Sequence, residues 1–245
     1  MYYRRTLESF IASAEKQFPV LLVTGARQVG KTTFLRHAAG AARTYVTLDD
    51  PLALDLAARD PALFLQRFPP PVLIDEIQYA PGLLPHIKMA VDSSVTPGQF
   101  WLTGSQHFHL MKGISESLAG RVGILQLLGL SRRELVKHHE ESRPFLPTAS
   151  IIEDMTAAMD RLTLKEHYTL IWRGSFPAVA LHDEMDRDLF YRSYVQTYLQ
   201  RDVRDLAKVG DEMAFLRFLR ASAARSGLLL NLAELARDAG VAFNT

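Results

Sequence analysis

An eight-residue segment, Gly25-Ala26-Arg27-Gln28-Val29-Gly30-Lys31-Thr32, constrains this chain more than anything else in its 245 residues. It fits the pattern G-x-x-x-x-G-K-[ST] at every fixed position. An apolar run, Val20-Leu21-Leu22-Val23, precedes it, and helix formers, Thr33-Phe34-Leu35-Arg36, follow. Glycine allows torsions that turn successive backbone N–H groups inward around phosphate oxygens. A helix beginning at Lys31 aims its positive end at the same anion. The segment therefore predicts a nucleoside-triphosphate site made of Gly25, Ala26, Arg27, Gln28, Val29, Gly30, Lys31, Thr32 and Thr33. Lys31 is expected to reach the β- and γ-phosphates, and the Thr32 hydroxyl to ligate Mg²⁺.

Such a loop needs a strand before it and a helix after it, and the chain repeats that alternation. Five short, nearly continuous apolar runs occur at Pro19–Thr24, Thr44–Leu48, Val72–Asp75, Gln99–Thr103 and Val122–Leu127, as expected of strands buried on both faces. Thr32–Ala41, Pro51–Phe68 and Leu83–Val91 are long enough for crossover helices, and Thr6–Phe18 has an amphipathic helix pattern. The prediction is an α/β fold, a three-layer parallel sheet of the P-loop NTPase kind. A connector-like stretch at 141–150 separates this part, residues 1–140, from a helical region at 151–245.

Val72-Leu73-Ile74-Asp75-Glu76 is an apolar strand ending in two carboxylates, the form of a Walker B segment. Asp75 is expected in the magnesium shell, since ligands collect at the carboxyl ends of strands in open α/β sheets. Glu76 is placed to take a proton from an attacking water. P-loop proteins with such a glutamate insert a strand between the two that carry these motifs. Phe100-Trp101-Leu102-Thr103-Gly104-Ser105 fits that strand, with Thr103 or Ser105 as the polar tip that senses the γ-phosphate, unless it is a plain Thr-Gly-Ser turn. Arg121 precedes the last strand, where AAA-type ATPases place an arginine that completes a neighbouring subunit's site; the alternative is a surface, ion-paired arginine.

Together these residues resemble a prokaryotic family of AAA-type ATP-binding proteins with a C-terminal domain of unknown function. The resemblance rests on Gly25–Thr32, on Leu73-Ile74-Asp75-Glu76-Ile77-Gln78, on Leu102-Thr103-Gly104-Ser105 and on Ser117-Leu118-Ala119-Gly120-Arg121. It continues through Gly174-Ser175-Phe176-Pro177 and Tyr198-Leu199-Gln200-Arg201-Asp202-Val203. It implies ATP as the nucleotide, an AAA-type sheet of the catalytic-glutamate class, and a further C-terminal portion, so that this chain looks like a fragment. The absence of an N-K-x-D guanine-reading segment agrees with adenine.

At the carboxyl end, Asn231–Asp238 reads as a helix, Ala239-Gly240-Val241 as a turn and Asn244-Thr245 as the cap of another helix. That is the first half of a helix-turn-helix, so DNA contact through the helical region stands beside a purely structural helical hairpin. In Tyr191–Lys208, Arg192, Arg201, Arg204 and Lys208 suggest a basic face, but Asp202 and Asp205 interrupt it and favour a solvated helix.

Composition narrows the rest. A formal charge of +1 gives no whole-chain field toward nucleic acid or an anionic membrane. The chain has no cysteine, which excludes disulfides and thiolate metal sites. No apolar run is long enough for a bilayer and no leader precedes the first helix, so a cytoplasmic protein without a membrane partner is expected. His107 with His109, and His138 with His139, lack carboxylate company at metal-ligand spacing and read as surface histidines. The functional expectation is a magnesium-dependent ATPase using Lys31 and Glu76, with a homo-oligomer implied if Arg121 acts on a neighbour. A slow nucleotide-dependent switch is the alternative. A small-molecule kinase is disfavoured because the chain lacks an arginine-rich lid between the fourth and fifth runs.

Overall fold

Each of the five apolar runs forms a strand of one parallel sheet: β1 (Val20–Thr24), β2 (Thr44–Thr47), β3 (Val72–Asp75), β4 (Phe100–Gly104) and β5 (Val122–Gln126). The computed structural model describes residues 2–94, 96–104, 108–137, 147–158, 162–198 and 212–242. The strand order is β2-β3-β4-β1-β5, so β4 lies between the strand that leads into the glycine loop and the strand that ends in Asp75. Val23 pairs with Thr103 on one side of β4, and Ile74 pairs with Leu102 on the other. This register brings the ends of β1, β3 and β4 to one edge of the sheet.

Side chains alternate across a strand, and β1 shows the consequence. Val20 and Leu22 join a core with Ile74, Phe100, Leu102, Phe64, Leu83 and Ile87. Leu21 and Val23 face the other way, into a second core with Ile11, Phe34, Leu35, Leu73 and Trp101. Helices α1 (Glu8–Ala14) and α2 (Lys31–Ala39) cover the second face. The first is covered by α3 (Pro51–Arg59), α4 (Pro61–Arg67), α5 (Leu83–Ser93) and α6 (Phe108–Leu118). The result is the expected three-layer sheet, with β1, β3 and β4 buried on both faces and the edge strands β2 and β5 partly exposed.

Two helical predictions change in detail. The stretch expected as one crossover, Pro51–Phe68, is two helices, because Pro61 disfavours helical torsions at Asp60. Asp60 instead takes φ −142°, ψ 79°, and its carboxylate accepts from Leu63 N at 2.9 Å to cap α4. The first helix spans seven residues, ending at Ala14, since the chain must turn toward β1; Phe18 O already accepts from Gly98 N at 2.9 Å.

After β5 come α7 (Arg132–Leu135), α8 (Ala149–Ala158), α9 (Leu164–Arg173), α10 (Pro177–Ala180), α11 (Arg187–Tyr198), α12 (Glu212–Ala224) and α13 (Leu232–Ala239). Among the described residues this region contains no strand. The chain forms two compact units, Met1–Arg187 and Asp188–Thr245. In the second unit, Arg217 Nε donates to Ala239 O at 3.0 Å and Arg225 pairs with Glu234 at 2.8 Å, tying α12 to α13. Asn231, expected as the first residue of the helix, instead caps α13, accepting from Glu234 N at 3.2 Å. Among the described residues no helix is long and apolar enough to cross a membrane.

Because Leu22 is fully buried at the centre of the sheet, Leu22→Ala is expected to cost about 2–5 kcal/mol. Chemical denaturation monitored by circular dichroism would measure that loss as a lowered midpoint.

Candidate nucleotide site

The loop between β1 and α2 is held open by backbone torsions that its glycines supply. Gly25 has φ 150°, and a Cβ there would lie 2.2 Å from the carbonyl oxygen of Leu127, so no other residue fits without displacing the backbone just after β5. Gly30 has φ 92° and starts α2, with Phe34 N donating to its carbonyl at 2.8 Å. Gln28 also lies in the left-handed region, at φ 61°, which a non-glycine residue adopts at a cost. Lys31 is 6% exposed and bends back over the loop, donating to Gly25 O at 3.1 Å and Ala26 O at 2.9 Å. A buried ammonium in contact with the carbonyls of the loop itself is placed where an anion bound by that loop would meet it. Ala26, Gln28 and Thr33 are exposed along the loop and first helical turn, whereas Val29 is buried beneath.

Asp75 ends β3 only 3% exposed, and it is the centre of the site's polar contacts. The Thr32 hydroxyl lies 3.0 and 2.9 Å from its two carboxylate oxygens. Thr103, fully buried on β4, donates to Asp75 Oδ1, and the Tyr45 hydroxyl donates to Oδ2 at 3.1 Å. Beside the carboxylate, burial pushes the Tyr45 hydroxyl above its ordinary range, and the charge of Asp75 adds to that rise. Thr103 also accepts from Glu76 N at 3.0 Å, which helps hold Glu76 in a left-handed conformation, φ 60° and ψ 46°. The turn directs the chain away from the strand tip. The Glu76 carboxylate accepts from the side-chain amide of Gln78.

The structure thus brings Lys31, Thr32, Asp75, Glu76 and Thr103 to one edge of the sheet. It does not bring Arg121 to them. Arg121 O accepts from Val20 N at 3.2 Å, at the amino end of β1, roughly 16 Å along the strand from the loop. Its guanidinium pairs with Asp92, with Nη2 at 3.1 Å from Oδ2. Ser105, His107, His138, His139, Arg201, Asp202, Arg204, Asp205, Lys208, Asn244 and Thr245 lie outside the described residues. Among the described residues no cluster of three His, Cys, Asp or Glu side chains forms a metal cage. A hydroxyl and a carboxylate in contact at a helix start nevertheless fit magnesium, which takes few protein ligands and completes its shell from phosphates and water.

Three participants carry no sequence signal of their own. Tyr45 looks like any strand tyrosine. Gln78 stands in the segment Leu73–Gln78 without an assigned role. Arg5 reads as half of an N-terminal basic pair, yet it is 6% exposed behind the loop. Its guanidinium donates to Val29 O at 3.0 Å, Leu128 O at 2.7 Å and Gly129 O at 3.1 Å, and pairs with Glu134 at 3.1 Å. Burial alone would raise the Glu134 carboxyl, but N–H groups of Ser131 and Thr6 and the charge of Arg5 hold it below its usual range.

A five-stranded parallel sheet of this order, with a Gly-Lys-Thr loop after β1 and Asp-Glu at the end of β3, defines a nucleotide-binding P-loop NTPase of AAA type. Residues 17–136 match the family model of the AAA domain, and residues 164–245 match that of a domain of unknown function, DUF8612. The chain belongs to the prokaryotic family of AAA-type ATP-binding proteins that carry a C-terminal domain of unknown function. It is 31% identical over 243 residues to uncharacterized protein Rv2008c of Mycobacterium tuberculosis (strain ATCC 25618 / H37Rv), covering 99% of this chain and 49% of that protein. The same figures, 31% identity with 99% and 49% coverage, hold for uncharacterized protein Mb2031c of Mycobacterium bovis (strain ATCC BAA-935 / AF2122/97). The chain therefore spans about half the length of these curated relatives. In fold it is similar to the Walker-type ATPase PABY2304 of Pyrococcus abyssi, with TM-score 0.54 and 15% identity, covering 97% of this chain and 89% of that one.

Arg5→Met should destabilise the protein by about 3–5 kcal/mol, because it leaves the buried Glu134 carboxylate without its partner. The folded carboxyl sits below its unfolded value, so its contribution is fully present above that value and is lost as pH falls through the folded one. The stability difference between wild type and Glu134→Gln is therefore expected to be flat near neutrality and to shrink below about pH 4.5, measured by urea denaturation across pH.

Proposed function

We propose that this chain binds ATP with magnesium and hydrolyses it, through Lys31, Thr32, Asp75, Glu76 and Thr103. The observation that carries the reading is the convergence of the Thr32 and Thr103 hydroxyls on Asp75, with Glu76 as the next residue along the chain. Thr32 and Asp75 would hold magnesium, which when bound supplies positive charge against the phosphate oxygens. Lys31 would exchange the two loop carbonyls for β- and γ-phosphate oxygens, so its charge meets the negative charge that develops during transfer. Glu76 would accept a proton from the attacking water, and Thr103 would fix the backbone from which Glu76 projects. Sequence resemblance and the missing guanine-reading segment support adenine over guanine. Lys31→Ala should weaken binding of a fluorescent ATP analogue at least tenfold. Glu76→Gln should keep that binding and lower steady-state phosphate release by about 10²–10⁴; equal release by wild type and Glu76→Gln would remove Glu76 from the mechanism.

Arg121 fits completion of a second copy's site, because its own loop lies at the far end of β1. Its pairing with Asp92 would then be exchanged on assembly. Turnover per chain should rise with protein concentration, and Arg121→Ala should flatten that rise while leaving ATP affinity unchanged. A concentration-independent rate in wild type would leave Arg121 as a surface ion pair.

A further inference from the structure

We propose that Gln78 is a positioning residue for hydrolysis, its amide nitrogen fixing the Glu76 carboxylate that activates the attacking water. The proposal rests on the ATPase reading above and adds a residue that the sequence motif leaves without a role.

Glu76 turns the chain at the end of β3 into a single tight turn, Ile77–Tyr79, with Tyr79 N on Glu76 O at 3.1 Å and Ala80 N on Ile77 O at 3.1 Å. Ile77 is fully buried in the core and anchors that turn. Gln78 is thus held on a short, fixed segment, and its Nε2 donates to Glu76 Oε2. The orientation of the amide follows from chemistry. An ionised carboxylate only accepts, so the nitrogen must face Glu76 and the oxygen must face away from it.

That oxygen is the second observation. Gln78 Oε1 is buried and meets no donor among the described residues. A buried acceptor is costly without a donor, so an amide kept here at that cost is kept for its nitrogen, which holds the Glu76 carboxylate. The Glu76 N–H is committed elsewhere, bonding Thr103 Oγ1 at 3.0 Å. A neutral amide holds the Glu76 carboxylate without adding negative charge beside it, which a carboxylate at position 78 would do.

The test uses the full chain and measures kcat and KM by phosphate release, the Kd of a fluorescent ATP analogue, and the melting temperature. Gln78→Met, nearly equal in shape but without the hydrogen bond to Glu76, should lower kcat about ten- to a hundredfold. KM, Kd and melting temperature should stay close to wild type. Gln78→His, which keeps one donor and one acceptor, should recover part of the loss, and Gln78→Glu should not. If the Met variant melts early, Gln78→Glu decides instead, because it preserves shape and polarity. A kcat within twofold of wild type in the deciding variant, or a faster one, overturns the proposal. Loss in Glu76→Gln with none in Gln78→Met sinks Gln78 alone, equal release by wild type and Glu76→Gln removes Glu76 and Gln78 together from the mechanism, and no phosphate release by wild type overturns the ATPase reading itself.

Discussion

Asp75 is a nearly inaccessible carboxylate, and it accepts from hydroxyls of three separate elements: Thr32 on α2, Tyr45 on β2 and Thr103 on β4. A buried charge without such donors is strongly unfavourable, so each contact fixes the position of the element that carries it. Thr32 ties the glycine loop to β3. Thr103 ties the central strand to the same oxygen and, through its second bond, sets the turn at Glu76. Removing the carboxylate would leave the buried Thr103 hydroxyl and the half-buried hydroxyls of Thr32 and Tyr45 to find other partners. The rest of the site is arranged around satisfying it.

The back of the loop is secured by a different device. Arg5 joins the N-terminal segment to Val29 and to the carbonyls that follow β5, while Glu134 receives N–H groups from Thr6 and Ser131. On the far side of the same segment, Leu130 N donates to Ser175 O at 2.7 Å, and a Cβ on Gly129 would lie 2.2 Å from the Ser175 hydroxyl. Gly174-Ser175-Phe176-Pro177 therefore packs against the stretch that Arg5 grips, with Phe176 on the core beneath the loop. Changes in the link between α9 and α10, at 174–177, thus have a short physical route to the phosphate loop.

Much of this was legible because local rules agreed with one another. Continuous apolar runs predicted all five strands, and the glycine-lysine-threonine spacing placed the loop where a strand meets a helix. Asp60-Pro61 carried a break that the apolar pattern of Pro51–Phe68 masked, since both helices bury the same face. Arg5 and Glu134 are 129 positions apart, so no window along the chain relates them. Tyr45 and Gln78 reveal their roles only through the atoms they touch.

The residues alone determined that a triphosphate loop exists and that an adjacent Asp-Glu pair ends a buried strand, because both depend on short-range torsions and apolar periodicity. Tertiary structure decided which side chains share the site. Inserting β4 between β1 and β3 sets Thr103 against Asp75, and the parallel register sends Arg121 to the opposite end of the sheet from its own loop. Strand order and register are properties of non-local hydrogen bonding, and those pairings are made between segments that the linear sequence keeps far apart.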